Sequence, residues 1–196
     1  MKKFFILLAL TAATCVGTAS AQTETSEAPE SSGKSKVVEF AARDGVLLLK
    51  ESYELPAVKL YKFNCEVIIQ TDVVSGEKIG GMIIEVFTGT STSSAVRGIL
   101  DYDELEAAIQ SMEYIQNNLL NTLREVYTEI KYISRGAVEM GAYCDKESSK
   151  WKIFIDPNDD SLYNATVLID ESKLEVFISN MKQAKQMLDE ILLKAE

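Results

Sequence analysis

Two twelve-residue segments of this chain align when the sequence is shifted by 69 residues. DYDELEAAIQSM (101–112) lies over DESKLEVFISNM (170–181), and five of the twelve positions are identical. Most of these matches are also shared by any two capped amphipathic helices, which need an acidic cap and apolar residues three to four positions apart. Neither the cap nor the apolar spacing explains the match between Glu106 and Glu175. The alignment therefore predicts an internal repeat.

β-prone segments separated by turn signals precede each of the two aligned segments. They span 37–42, 45–55, 62–74, 78–89, 96–100, 125–134, 137–144, 151–155 and 163–169. Gly80-Gly81 within one strand indicates a bulge or the close approach of another backbone. We therefore predict an α+β fold of two ββββα repeats, about 36–123 and 124–196, in which one helix covers each antiparallel sheet.

Both predicted helices have recognisable starts. Asp101 is a good N-cap, with Glu104 three residues later as its capping-box partner, and Asp170 is the cap of the last helix. The apolar stripe of that helix runs over about 25 residues: Leu174, Phe177, Ile178, Met181, Ala184, Leu188, Ile191, Leu192 and Ala195. A helix this long can also pack on a second copy of the chain, so a homo-oligomer through the C-terminal helix is a further expectation.

The element order resembles that of the whirly proteins, which carry two ββββα repeats in one chain and bind single-stranded nucleic acid. The resemblance covers residues 36–196 and lies in the order of elements rather than in a motif. The segments ILDYDELEAAI, YTEIKYISRG and WKIFI also resemble small secreted bacterial proteins without an assigned activity. Fold alone does not imply function.

The N-terminal residues have the pattern of a secretory signal peptide. Lys2 and Lys3 precede an apolar stretch of about ten residues, which is too short to span a bilayer. Residues 19–21 (ASA) form a cleavage site of the A-x-A type. We therefore expect residues 1–21 to be removed and the protein to be periplasmic or secreted.

Cys15 offers an alternative, a lipid anchor. The neighbouring Ala12 and Thr14 depart from the usual lipobox, which has Leu three residues before the cysteine and a small residue just before it. Residues 22–35 are rich in Glu, Ser and Thr and are predicted to be a disordered tether. The remaining residues, 36–196, are enough for one α+β domain.

Charge and cysteine content limit the partners further. Loss of the two signal-peptide lysines changes the formal net charge from −10 to −12, which repels nucleic acid and anionic membranes. Cys65 and Cys144 both fall on apolar strand faces. An oxidising compartment permits a disulfide between them, and two buried free thiols are the alternative.

The sequence lacks the residues of most catalytic sites. It has no histidine, which removes imidazole acid–base chemistry, His-dependent triads and most transition-metal sites. No nucleophile elbow, P-loop or dinucleotide glycine pattern is present. Neighbouring carboxylates occur at helix starts and turns, where acids are common: Asp101 and Asp103, Glu104 and Glu106, Asp159 and Asp160.

A partial calcium-loop pattern is weak. Asp156, Asn158 and Asp160 match its first three ligand positions, but Ser161 and Val167 stand where Gly and the bidentate Glu are required. We therefore expect no metal and no cofactor.

These observations favour an exported, non-enzymatic binding or structural module for a protein or a glycan. Tyr102, Tyr132, Tyr143 and Trp151 are the candidate contact residues, with ordinary core packing as the alternative for each. A carboxylate-only hydrolase acting on carbohydrates is the alternative function. A single-strand binder is a third, whose aromatic and basic residues would be Tyr127, Tyr132, Tyr143, Trp151, Phe154, Lys131, Arg135, Lys150 and Lys152.

Overall fold

The computed structural model describes residues 34–56, 63–88, 95–147, 150–157 and 165–193. The predicted signal peptide, the alternative anchor at Cys15, the tether up to residue 33 and the ligand positions 158 and 160 lie outside these ranges. No helix within them combines the length and the apolar composition that a membrane span requires.

The described chain contains three α-helices, eight strands and one short 3-10 turn. Their bounds are α1 (Lys36–Ala41), β1 (Leu48–Glu54), β2 (Phe63–Asp72), β3 (Lys78–Phe87), β4 (Ala95–Asp101), the 3-10 turn (Tyr102–Glu104), α2 (Leu105–Asn118), β5 (Thr128–Ile133), β6 (Glu139–Cys144), β7 (Trp151–Asp156), β8 (Val167–Ile169) and α3 (Glu171–Leu192).

The strands form two four-stranded sheets, each in chain order. The first is β1-β2-β3-β4 and the second is β5-β6-β7-β8, and all neighbouring strands are antiparallel. α2 follows the first sheet and α3 follows the second. The predicted α+β class is therefore confirmed, and the element order is that of two ββββα units.

Each helix packs mainly on the sheet of the other half. α3 contacts β2 and β3 of the first sheet, whereas α2 contacts β5 and β6 of the second sheet, and the two helices also contact each other. Phe177 of α3 meets Phe63 of β2 edge to face, with ring centroids 5.9 Å apart. One buried apolar cluster includes residues from both sheets and both helices. Neither half therefore encloses a core of its own.

The two central glycines of β3 allow close packing on both sides. A Cβ on Gly80 would lie 2.5 Å from the Leu188 side chain of α3, and one on Gly81 would lie 2.6 Å from the Leu100 carbonyl oxygen of β4. The register between β2 and β3 continues unbroken through both glycines. Of the two predictions for Gly80 and Gly81, the close approach of neighbouring elements is correct, and β3 has no bulge at these residues.

The prediction of a strand at 37–42 is wrong. This segment forms α1, whose N-cap is Ser35 and whose residues Val37 and Phe40 are buried. The side chain of Val37 packs on Ile68 and Ile83 of the first sheet. Two buried residues three positions apart fit one face of a helix, and this tertiary packing overrides the β propensity of Val and Phe.

Asp101 has a larger role than the predicted one. The capping box with Glu104 is present, and the Glu104 carboxylate accepts the Asp101 backbone N–H at 3.3 Å. The Asp101 carboxylate is 1% exposed, and it also accepts the first two backbone N–H groups of α1 at 2.8 and 3.2 Å and the Ser35 hydroxyl at 2.6 Å. Arg135, which follows β5, donates to it from Nε and Nη2 at 3.3 and 3.1 Å. One buried carboxylate thus joins α1, the start of α2 and the second half.

Candidate binding site

The outer face of the second sheet has no covering helix among the described residues. α1 packs on the first sheet, while α2 packs on the inner face of the second. Strand side chains alternate between the two faces, so every second residue of β5, β6 and β7 points outward. A groove of about 450 Å³ on this face, here called the outer groove, is lined by Tyr127, Glu129, Glu139, Tyr143, Phe154, Asp156, Thr166 and Leu168.

Three aromatic rings form a row in the outer groove. The Tyr127 and Tyr143 centroids are 6.3 Å apart with an interplanar angle of 31°, and those of Tyr143 and Phe154 are 6.2 Å apart with an angle of 47°. Phe154 is largely buried, whereas Tyr127 is exposed. The row therefore has one anchored end and one accessible end.

Carboxylates lie beside this row. The register of β6 and β7 places Glu139 directly opposite Asp156, and like charges in directly opposed positions are destabilising. Lys131 partly offsets this, since its Nζ donates to both Glu139 oxygens at 2.9 and 2.8 Å. The Thr166 hydroxyl donates to Asp156 at 2.5 Å. Each of the two opposed acids is therefore bonded within the fold, and both line the outer groove.

The Tyr127 hydroxyl is bonded within the groove lining, and Lys152 lies just outside the lining, beside Tyr143. Tyr127 donates its hydroxyl proton to Glu129 at 2.5 Å, and this hydrogen bond raises the pKa of Tyr127. Lys152 donates to Asp145 at 2.7 Å, which raises the pKa of Lys152, and its Nζ lies 5.4 Å from the Tyr143 ring centroid. Tyr127 is therefore neutral at neutral pH and offers an aromatic face rather than a charge.

Gly141 leaves the middle of the outer face without a side chain. It lies between Glu139 and Tyr143 on β6 and opposite Lys131 on β5. A Cβ at this position would overlap the carbonyl oxygen of Ile130. The close approach of β5 therefore requires glycine here, and the resulting gap separates the acidic end of β6 from its aromatic end.

Of the four sequence-predicted contact residues, only Tyr143 lines the outer groove. Trp151 donates its indole N–H to the Thr122 carbonyl at 2.9 Å and packs against the core. Tyr132 also packs against the core, and burial raises its pKa to about 12. Its hydroxyl donates to the Glu104 carbonyl at 3.3 Å. Trp151 and Tyr132 therefore hold the end and the start of α2 on the second sheet.

Tyr102 joins the two helices. Its hydroxyl donates to Asp189 of α3 at 2.5 Å, and Lys185 Nζ lies 5.5 Å from its ring centroid. The hydrogen bond raises the pKa of Tyr102 and lowers that of Asp189. Tyr102 thus fixes α3 beside the start of α2, and this contact accounts for a tyrosine that the repeat itself does not require.

The acids near Tyr102 are also engaged within the fold. Asp103 accepts from Lys36 at 2.8 Å and also from Arg135. Partial burial works to raise the pKa of Asp103, but the hydrogen bonds from these two cations outweigh it, so the pKa lies below its usual value. Asp101 and Asp103 are therefore part of a joint between elements rather than a pair presented to a substrate.

Cys65 and Cys144 are buried free thiols in the structure. Cys65 belongs to the first sheet and Cys144 to the second. Desolvation raises the pKa of the Cys65 thiol to about 12, although Asn180 lowers it slightly by hydrogen bonding. A thiol of this pKa is a poor nucleophile at neutral pH.

The described residues contain no cluster of three or more His, Cys, Asp or Glu side chains placed to hold a metal ion.

The apolar stripe of α3 is buried against the rest of the chain, including Leu174, Met181 and Leu188. An oligomer built on this helix would therefore have to use its opposite side.

Of the acids of the outer groove, Asp156 was predicted only as part of the calcium-loop pattern and Glu129 and Glu139 were not predicted, while Tyr127 and Phe154 were predicted only as nucleic-acid contacts. The signal was available in the strand alternation: outward positions of β5–β7 hold Glu129, Glu139, Tyr143, Phe154 and Asp156. Which of these side chains are neighbours depends on the register between the strands, and the register could not be predicted from the sequence.

Comparison with protein-family models, with curated proteins and with solved structures finds no match to this chain. The assignment of function therefore rests on the geometry of the outer groove.

Proposed function

We propose that this protein is an exported, non-enzymatic binding module that holds a neutral or cationic glycan in the outer groove of its second sheet. The observation that carries the proposal is the row of three aromatic rings beside the directly opposed acids Glu139 and Asp156. Aromatic faces bind the apolar faces of sugar rings, and carboxylate oxygens accept hydrogen bonds from hydroxyl or ammonium groups.

Charge selects among the possible ligands. Glu129, Glu139 and Asp156 line the outer groove, and Lys131 is held by Glu139. An anionic glycan or a nucleic-acid strand would meet repulsion here, which the net charge of the whole chain increases. A ligand rich in hydroxyl groups, or one carrying amines, would donate hydrogen bonds to the carboxylates that line the groove. This complementarity also argues against single-stranded nucleic acid.

A glycan array followed by calorimetric titration tests the proposal. We expect neutral or amine-bearing oligosaccharides to bind the purified chain, and Tyr143→Ala to weaken that binding about tenfold through loss of a stacking face. Tyr114→Ala is the matched control, because Tyr114 is exposed on α2, away from the groove. Absence of any glycan ligand, a preference for anionic glycans, or equal effects of the two variants would contradict the proposal.

A carboxylate-only hydrolase is the second candidate, and the same acidic pair supports it. Retaining glycosidases hold two carboxyl groups roughly 5 Å apart, and directly opposed strand residues have Cβ atoms at about that spacing. Glu139 and Asp156 lie on strands, where a turn or a helix start does not require acids. Lys131 Nζ, however, donates to both Glu139 oxygens, so this carboxylate is already engaged within the fold.

Release of reducing sugar from the array ligands distinguishes the two functions. The binding proposal predicts no turnover by the wild-type chain. Turnover that both Glu139→Gln and Asp156→Asn abolish would replace it with the hydrolase, since both variants keep the size of the side chain.

A further inference from the structure

A second cavity lies on the opposite part of the molecule, between α1 and the outer face of the first sheet. Its volume is about 390 Å³. Val37 of α1, Ile68 of β2 and Ile83 of β3 form an apolar cluster here, with Ile99 of β4 packed against it. All four residues line the cavity, so its floor is apolar. We call it the α1 cavity.

A buried polar atom without a partner lies in this lining. Gln70 is only 8% exposed, and its Oε1 accepts no hydrogen bond. Leaving a buried acceptor unpaired destabilises the fold. An unpaired buried acceptor is typical of a position where a ligand supplies the missing hydrogen-bond donor. An apolar side chain at position 70 would serve the stability of the fold at least equally well.

Cationic side chains surround the same cavity. Lys34, Lys50 and Arg97 line it. Arg97 is paired with Glu85 at 2.6 Å, whereas neither Lys34 nor Lys50 has an ion-pair partner among the described residues. Lys50 is directly opposite Gln70 in the β1–β2 register. Lys50 and Gln70 therefore lie at the same level of two neighbouring strands.

We propose that the α1 cavity binds a small amphipathic anion: an apolar body, one negatively charged group and one hydrogen-bond donor. The apolar body covers Ile68, Ile83 and Ile99, the anionic group faces Lys50, and the donor satisfies Gln70 Oε1. This ligand is anionic, whereas the one proposed for the outer groove is neutral or cationic, because basic residues line the α1 cavity and acidic residues line the outer groove. The two proposals are therefore independent.

Two fluorescent probes test this site on the full purified chain. 8-Anilino-1-naphthalenesulfonate has an apolar aromatic body, a sulfonate and an anilino N–H donor. N-phenyl-1-naphthylamine has the same body and donor without the charge. We expect saturable one-to-one binding of both probes, with the sulfonate bound about fivefold more tightly because of Lys50.

Variants separate the parts of the site. Lys50→Gln should remove the preference for the sulfonate and leave binding of the neutral probe unchanged. Gln70→Leu should weaken both probes by about fivefold, since each loses one hydrogen bond. Lys182→Gln, on α3, is the matched control and should leave both titrations unchanged, because Lys182 is exposed and lies outside the cavity lining.

The unliganded stability of the same variants gives a second readout. Gln70→Leu should unfold at a higher temperature than the wild-type chain, because it removes the unpaired buried acceptor. Non-saturable binding, equal affinity of the two probes, or a sulfonate affinity that Lys50→Gln does not change would overturn the proposal. Lys50 is exposed on an edge strand, so this variant stays decisive even if Gln70→Leu folds poorly.

Discussion

Two aspartates at equivalent positions of the repeat show how far one residue's role can depart from its sequence pattern. Asp170 caps α3 by accepting the Lys173 backbone N–H at 3.0 Å. It is a surface residue, and hydrogen bonds from the Lys173 and Ser172 side chains lower its pKa to about 2. Asp101 is buried and has the same kind of cap, but it also holds α1 and Arg135. The repeat predicts an N-cap at both positions. It does not predict that the aspartate at position 101 also binds α1 and Arg135.

This difference predicts unequal costs for one substitution. Asp101→Asn should lower the free energy of unfolding by about 2 kcal/mol, because the neutral amide loses charge-assisted hydrogen bonds to α1 and to Arg135, although Asp103 stays paired with Arg135. Asp170→Asn should cost about 1 kcal/mol or less, since Asn is itself a good N-cap. Urea unfolding of both variants measures the two costs. Equal costs would show that the joint at Asp101 contributes nothing beyond capping.

At the scale of elements, α1 is the segment whose conformation the sequence did not predict. Three of the six residues of KVVEFA (two Val and one Phe) have high β propensity, and a six-residue helix is not stable alone. Its conformation depends on contacts with distant residues: the Asp101 carboxylate at its N-terminus and the isoleucines of the first sheet under Val37. The longer helices were predictable, because their apolar stripes and acidic caps are local in sequence.

A pair of alanine substitutions tests the face of α1. In a strand, Val38 and Phe40 would share a face, whereas in the helix Phe40 is 2% exposed and Val38 is 45% exposed. Phe40→Ala should therefore lower the free energy of unfolding by about 3 kcal/mol, and Val38→Ala should change it by less than about 0.5 kcal/mol. Similar losses for both variants in urea unfolding would indicate the strand instead.

At the scale of the whole molecule, the exchanged packing of the helices makes the two halves interdependent. α2 covers the sheet of the second half and α3 that of the first, over one shared core. The sequence predicted the class and, in each half, strands followed by a long helix, but it placed a strand where α1 lies. The sequence could not predict which helix covers which sheet, because an amphipathic stripe indicates only that one face of the helix is buried and not what it packs against. The site was missed for a similar reason, since Glu139 and Asp156 become neighbours only through the strand register.

The exchanged packing predicts one cooperative unfolding transition. Trp151 fluorescence reports the second half, because Trp151 is the sole tryptophan. Thiol labelling of Cys65, in a Cys144→Ala chain without residues 1–21, reports the first half. In this chain, the urea midpoint from Trp151 fluorescence and the midpoint from Cys65 labelling should coincide. In the matching Cys65→Ala chain, the midpoint from Cys144 labelling should likewise coincide with the midpoint from fluorescence. Separate midpoints within one chain would mean that the halves unfold independently.

The proposed glycan site is tested most directly by amide NMR. The measurement is a titration of the isotopically labelled chain with the tightest-binding oligosaccharide of the array. We predict saturable chemical-shift changes confined to the lining of the outer groove, in β5, β6 and β7 around Glu129, Tyr143 and Phe154. Changes confined to α2, α3 or the first sheet, or no changes at saturating glycan, would contradict the proposal.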